Sequence, residues 1–419
     1  MSRSTPYARF HGMAATDEHT TYFRKGFGLK ADVQGDLSAD YNGRIVDALR
    51  DHDYTLTVED VTIRLAREFG FCYGVERAVE YAYQTRRKFP DRRILLVGEI
   101  IHNPHVNSKL RGMGIEILEP DAEGAFDFSR VRPEDVVILP AFGVTMAAFE
   151  ALRAQGCVLV DTTCGSVLNV WKRVETYARD GFTALIHGKH YHEETRATAS
   201  QVLKYPGGSY LVVRDMNEAR EVCDYVEGRG DREAFLAKYG KAVSPGFDPD
   251  VHLRRIGVAN QTTMLARESL AIGEEVGRAI ERARGSEARA QDFRTFDTIC
   301  SATQERQDAV LALLEEPLTA MVVIGGFNSS NTISLAALCA ERVPTYHIED
   351  ASGIDPETGT VRYRPVGLQH AELTKQGWLP PAGDVVVGIT AGASTPNNKI
   401  GEAVARVFAT RGIDPREIA

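Results

Sequence analysis

One unit recurs along this chain: a short β-branched run, a polar turn, then a helical pattern. Nine such units can be read, and they fall into three sets of three. The first unit of each set ends in a cysteine. VTIRLAREFGF runs into Cys72 and the helical VERAVEYAYQTRRK; CVLVDTT runs into Cys164 and SVLNVWKRVETYARDG; TFDTI runs into Cys300 and SATQERQDAVLALLEE. The second unit ends in a polar cluster: His102-Asn103, then His190, His192, Glu193 and Glu194, then Asn328-Ser329-Ser330-Asn331. These clusters begin or centre 30, 28 and 29 residues after the cysteines, at 102, 192 and 329. The third unit ends in a small or polar turn: Ala141-Phe142-Gly143, Gln261-Thr262-Thr263, and Ala391-Gly392-Ala393-Ser394.

Alternating β and α segments predict an α/β fold of parallel sheets with right-handed crossovers. Open α/β sheets place ligands beyond the carboxyl ends of their strands, and all nine turns lie at that end. Three pseudo-equivalent small domains facing one another there would bring the three cysteines to one centre, ringed by His, Glu, Ser, Asn and Thr. Gly and Ser are default turn residues; a cysteine at the same place in three sets is not. Cys157, Cys223 and Cys339 fall mid-strand or mid-helix and read as buried structural thiols. The repeat divides the chain into an N-terminal extension (1–60) and α/β domains at 61–157, 158–293 and 294–419. The extension is expected to pack on the first domain. Insertions at 224–251 and 348–383 read as surface loops.

Composition excludes several classes. The net charge is −9 with no basic block, which argues against a nucleic-acid partner. No apolar run approaches the roughly 18 residues of a membrane helix. The first residues lack an apolar core and carry Asp17 and Glu18, unlike a secretory or transit leader. A cytoplasmic, reducing location follows as the expectation, so the six cysteines are thiols or metal ligands and not disulfides. None forms a CxxC pair.

Three thiolates from distant segments suit a tetrahedral zinc, a [3Fe–4S] cluster, or a [4Fe–4S] cluster with one iron lacking a protein ligand. An open metal position can take substrate. Each cysteine stands where a helix begins, where backbone N–H groups favour negative charge on sulfur. No GxGxxG opens a helix after a strand, so electrons would come from a carrier protein.

The motifs GFCYGVERA (70–78), EIIHN (99–103), VDTTC (160–164), HEET (192–195), NQTT (260–263), TICSATQERQDAV (298–310), NSSN (328–331) and TAGAST (390–395) occur in order. On these, over roughly residues 62–410, the chain resembles the LytB/IspH family of 4-hydroxy-3-methylbut-2-enyl diphosphate reductases. KGFG (25–28) and GFDPD (246–250) resemble its cyanobacterial and plant branch. The resemblance implies a trefoil around a central cluster held by Cys72, Cys164 and Cys300, and reductive removal of a hydroxyl as the last step of the non-mevalonate isoprenoid pathway. It implies that His102, His192, Ser329, Asn331 and Ser394 hold the diphosphate, with neighbouring Ser330 able to serve, and that ferredoxin or flavodoxin delivers electrons. It favours Glu194 over Glu193 as the acid, with Thr262 relaying or positioning the proton. The bacterial form has a His where this chain has Phe142, and a Pro where it has Gly165. His190, Lys189 and His105 are the candidates to replace the lost donor. Two rivals stand: a zinc hydrolase using His190, His192 and Glu193 or Glu194, and a non-enzymatic iron–sulfur sensor.

Overall fold

The computed structural model describes residues 21–368 and 371–414. Asp17 and Glu18, and the leader reading that rests on them, lie outside these residues. Three sheets share one plan of four parallel strands, to which Tyr22–Phe23 adds a fifth in the first and Thr55–Val58 an antiparallel fifth in the third. In the first, Val158–Asp161, Val136–Leu139, Ile94–Val97 and Ile115–Leu118 lie side by side in that order. The second runs Phe293–Thr295, Ile256–Asn260, Thr183–His187, Tyr210–Val213. The third runs Val61–Leu65, Val385–Ala391, Ala320–Ile324, Thr345–Ile348. The central strands are apolar and buried along their length, as parallel sheets covered on both faces require.

The expected α/β class and three-part repeat hold, but sheet membership does not follow the divisions at 61, 158 and 294. The strand leading to Cys72 belongs to the third sheet, the strand leading to Cys164 to the first, and the strand leading to Cys300 to the second. The helix after each cysteine packs on the next sheet. Ala78 and Val79 join the core of Ile94 and Ile138, Val170 and Val174 that of Leu185, and Val310 that of Val323. Each cysteine therefore marks the step from one domain to the next. Three such steps close a ring whose centre is the cysteines.

The insertions are packed structure, not loops. The first carries helices Arg232–Tyr239 and Pro249–His252, with Phe235, Tyr239 and Phe247 buried in the second core. The second forms an antiparallel sheet, Ile354–Asp355, Thr360–Tyr363 and Leu373–Gln376, and buries Val361, Trp378 and Leu379. Their apolar residues supply the burial that holds them. The extension bridges two domains instead of resting on one. Helix Lys30–Tyr41 places Tyr41 against Tyr83 of the first, whereas Val46 and Leu49 of Arg44–Asp51 enter the third core. Thr55–Val58 pairs antiparallel with Val61–Leu65. No helix of the described residues is long and apolar enough to cross a membrane.

Candidate active site

Cys72, Cys164 and Cys300 are the N-cap residues of helices Tyr73–Lys88, Gly165–Arg179 and Ser301–Leu313, all three with extended backbone. Each donates its N–H to a carbonyl of a third-unit turn. Cys72 bonds Ala393 (3.3 Å), Cys164 bonds Ala141 (2.9 Å) and Cys300 bonds Thr262 (3.3 Å). The sulfurs face one another. A Cβ on Gly74 would stand 2.5 Å from Cys164 Sγ and 3.9 Å from Cys72 Sγ, so glycine leaves the space those sulfurs occupy. Cys72 feels the charge of Cys164, and Cys300 that of Cys72 and Glu194. Buried Arg306, on the Cys300 helix, donates to the carbonyls of Gly70 (2.7 Å) and Phe71 (3.2 Å), tying the loop before Cys72 to the Cys300 helix.

Burial pushes the Cys72 thiol up, and the Cys300 thiol up to about 11, partly countered at Cys300 by donation from Thr303 N–H (3.3 Å). Three partly buried thiols held at helix N-termini fit a cationic metal centre, whose charge offsets the burial penalty on the Cys72 and Cys300 thiolates. None is paired in a disulfide.

Glu194 lies beside this centre, 2 % exposed. Its carboxyl accepts from Thr262 N–H (2.6 Å) and Thr262 Oγ1 (3.1 Å). Burial raises its pKa to about 7 despite those bonds, so near neutral pH it holds a proton and can give it up. Glu193, its neighbour, is half exposed. The N–H of Glu194 donates to Nδ1 of the N-cap His192 (3.2 Å). Burial and the charges of His102 and Lys189 hold His192 neutral, with its pKa well below the usual value. The ring proton therefore sits on Nε2, which is buried with no partner.

His102 is fixed by Glu99 Oε2 on Nδ1 (2.9 Å) and packs edge-on to His192 (centroids 5.1 Å). Its Nε2 is also buried and unbonded; Glu193 Oε2, 3.5 Å away, does not complete a hydrogen bond. Phe142 stacks flat on His102 at 4.3 Å and 18°, so it supplies a wall where a donor was lost. Ser394 Oγ donates to the His102 carbonyl (3.1 Å). Asn331 accepts from Ala393 N–H (2.9 Å) and contacts Thr303 Oγ1 (3.4 Å). Ser329 caps its helix by accepting from Thr332 N–H (3.4 Å), and Ser330 lies 3.4 Å from Lys189 Nζ. Contacts thus link Glu194 to Thr262 and His192, His192 to His102, and His102 to Ser394, while Asn331 reaches Ala393 and Thr303.

Two of the three replacement candidates fall elsewhere. His190 is exposed against Tyr191, and His105 packs edge-on to Tyr41. The sequence reading missed Glu99, Thr303, Arg306 and Gly74 as site builders, although all four lie inside the quoted motifs. The zinc arrangement with His190 does not form. The group of nearby ligand atoms among the described residues is His102, His192 and Glu193, and there the lone pair of His192 is already taken by the N–H of Glu194.

A sequence model of the family described as LytB protein matches residues 63–408. A 4-hydroxy-3-methylbut-2-enyl diphosphate reductase of Gloeobacter violaceus is 50% identical over 396 residues, 94% of this chain and 93% of that one. The enzyme of the same name from Thermosynechococcus vestitus is 48% identical over 393 residues, covering 94% and 95%. Among solved structures, the E-1-hydroxy-2-methyl-but-2-enyl-4-diphosphate reductase of Plasmodium falciparum superposes with a TM-score of 0.60 at 20% identity, over 84% of this chain and 90% of that one, a likeness of fold.

Proposed function

The chain belongs to the LytB family, and from that premise we propose that it reduces 4-hydroxy-3-methylbut-2-enyl diphosphate to isopentenyl and dimethylallyl diphosphate, the final step of the non-mevalonate route. The observation that carries this reading is a buried, proton-holding Glu194 set between three convergent cysteine N-caps and two imidazole nitrogens without partners.

Cys72, Cys164 and Cys300 would hold a [4Fe–4S] cluster with one iron lacking a protein ligand; when bound, it supplies electrons and a Lewis-acidic iron. Glu194 donates the proton with which the hydroxyl leaves as water. Thr262, bonded to both carboxyl oxygens, keeps that acid aimed. The balance is two electrons and two protons in, one water out, with the second proton going to carbon. His102, His192, Ser329, Ser330, Asn331 and Ser394 take the diphosphate, whose oxygens give the buried Nε2 of His192 the acceptor it lacks. The buried setting excludes water from the reacting end. Electron delivery by a one-electron carrier such as ferredoxin or flavodoxin, and a cytoplasmic location, belong to the same proposal.

The test is anaerobic purification with iron, sulfide and zinc analysis, followed by turnover with viologen reduced by dithionite. About four irons and four sulfides with turnover is the expected result. Stoichiometric zinc without iron overturns it in favour of a hydrolase. A cluster without turnover, in protein that binds a native reductant, overturns it in favour of a sensor.

A further inference from the structure

Resting on the diphosphate reading above, we propose that Lys189 binds the substrate's diphosphate directly and supplies the donor that Phe142 does not. Lys189 follows strand Thr183–His187 at its carboxyl edge, in the turn that leads to His192. Its main chain is pinned, since its N–H donates to Gln261 Oε1 (3.2 Å), an oxygen that also accepts from Thr195 Oγ1 (3.0 Å). From there the side chain crosses to the third domain, where Nζ lies 3.4 Å from Ser330 Oγ. Its charge is felt at His192. The ammonium therefore sits among the groups assigned to the diphosphate.

Charge makes the case. Lys30, Lys109, Lys204, Lys238 and Lys399 each pair with a carboxylate. Lys189 is largely buried, and no carboxylate among the described residues pairs with it; burial is the influence on its proton affinity, which it lowers. A partly desolvated cation without a counterion is costly unless an anion arrives. The rest of the pocket would not welcome one. His192 is neutral, and Glu99 and Glu193 stand 2.9 and 3.5 Å from the two nitrogens of His102. Without Lys189, a multiply charged diphosphate would face Glu99 and Glu193 beside a neutral His192. His190 and His105, the other candidates, point elsewhere.

The experiment uses cluster-loaded enzyme. Inorganic diphosphate is titrated by calorimetry into wild type, Lys189→Met and Lys189→Arg, and the substrate KM is measured for each. Lys189→Met should weaken diphosphate binding roughly 10- to 100-fold, the size expected for loss of one charge-assisted contact. KM should rise with it, more than kcat falls, while the cluster absorbance is unchanged. Lys189→Arg should retain most of the affinity. Wild-type affinity in Lys189→Met, with normal wild-type turnover, overturns this inference alone. A wild type that neither turns over the substrate nor binds diphosphate overturns the functional reading beneath it.

Discussion

The two sides of the central site are made by the same repeat and have diverged differently. On the cysteine side the three positions are near copies. Each is an N-cap with extended backbone, and each donates its N–H to a third-unit turn. On the polar side the equivalent N-caps are Asn103, His192 and Ser329. All three still cap through the side chain, to Val106, Glu194 and Thr332, but they offer different chemistry to the cavity. The proposed metal–sulfur centre, held by three like thiolates, would be served by repetition. A substrate with a hydroxyl at one end and a diphosphate at the other needs a proton donor on one side and anion donors on the other. Symmetry survives where the ligand tolerates it and is lost where the ligand has direction.

Glu194→Gln tests the divergent side with the largest expected effect. Loss of the proton donor should lower turnover about 10²- to 10⁴-fold, with iron and sulfide content unchanged. In wild type the acid form prevails below about pH 7, so kcat should fall as pH rises through that value. Stability carries the same signature. The folded carboxyl, with pKa about 7 against an ordinary 4.5, binds its proton more tightly than the unfolded one. Wild type should therefore lose stability as pH rises from about 4.5 to about 7 and level off above. Glu194→Gln escapes that loss, so it should be the more stable protein at pH 8 by on the order of 3 kcal/mol, the gap closing near pH 4.5. Denaturant melts at pH 5 and 8 decide it: parallel curves would show that Glu194 is not the buried acid.

Gly74→Ala probes one place where the cysteine side departs from its own symmetry. The position two residues after each cysteine is Gly74, Ser166 or Ala302. Gly74 faces a sulfur so closely that a Cβ would lie 2.5 Å from Cys164 Sγ. Gly74→Ala should cut iron content by half or more, and Ser166→Ala should leave it unchanged. Iron analysis and the visible charge-transfer band measure both. Full iron in Gly74→Ala would mean that the three cysteine turns are interchangeable after all.

This contrast also explains what could be read in the sequence. The cysteine helices were legible because their start, spacing and apolar periodicity are local properties. The sheets were not: the residues of Val61–Leu65 mark a strand but carry no record of its partner, Val385–Ala391, more than 300 positions away. The outer strands Ile115–Leu118, Tyr210–Val213 and Thr345–Ile348 escaped the nine-unit reading because no polar cluster at fixed spacing follows them. The second insertion looked like loop from its Pro and Gly content, yet Val361 and Trp378 are core residues. At the site, Glu194, His102 and the Ser–Asn turns were named by motif, and the fold sets Glu194 against Thr262 and His102 against His192. The reach of Lys189 to Ser330 and of Arg306 to Gly70 depends on side-chain direction across domain boundaries, which no linear pattern encodes.

At Phe142 a ring that donates nothing still does structural duty. Gly143 behind it has φ +76 and abuts Trp171, where a Cβ would lie 2.4 Å from the indole, so the turn that presents Phe142 is closely set. Phe142 covers one face of His102 and meets His192 edge-on at 6.1 Å. Glu99 and Asn328 still hold His102 when that wall is removed. Phe142→Ala should therefore raise the substrate KM only about 2- to 10-fold, the worth of one aromatic contact, with kcat nearly kept. Phe142→His keeps the ring and adds a donor, so its KM should be at or below that of wild type, and it should recover affinity in the Lys189→Met background. If Phe142→Ala instead abolished turnover as Glu194→Gln does, the ring would belong to the reacting end, and the division between proton-donor side and diphosphate side would have to be redrawn.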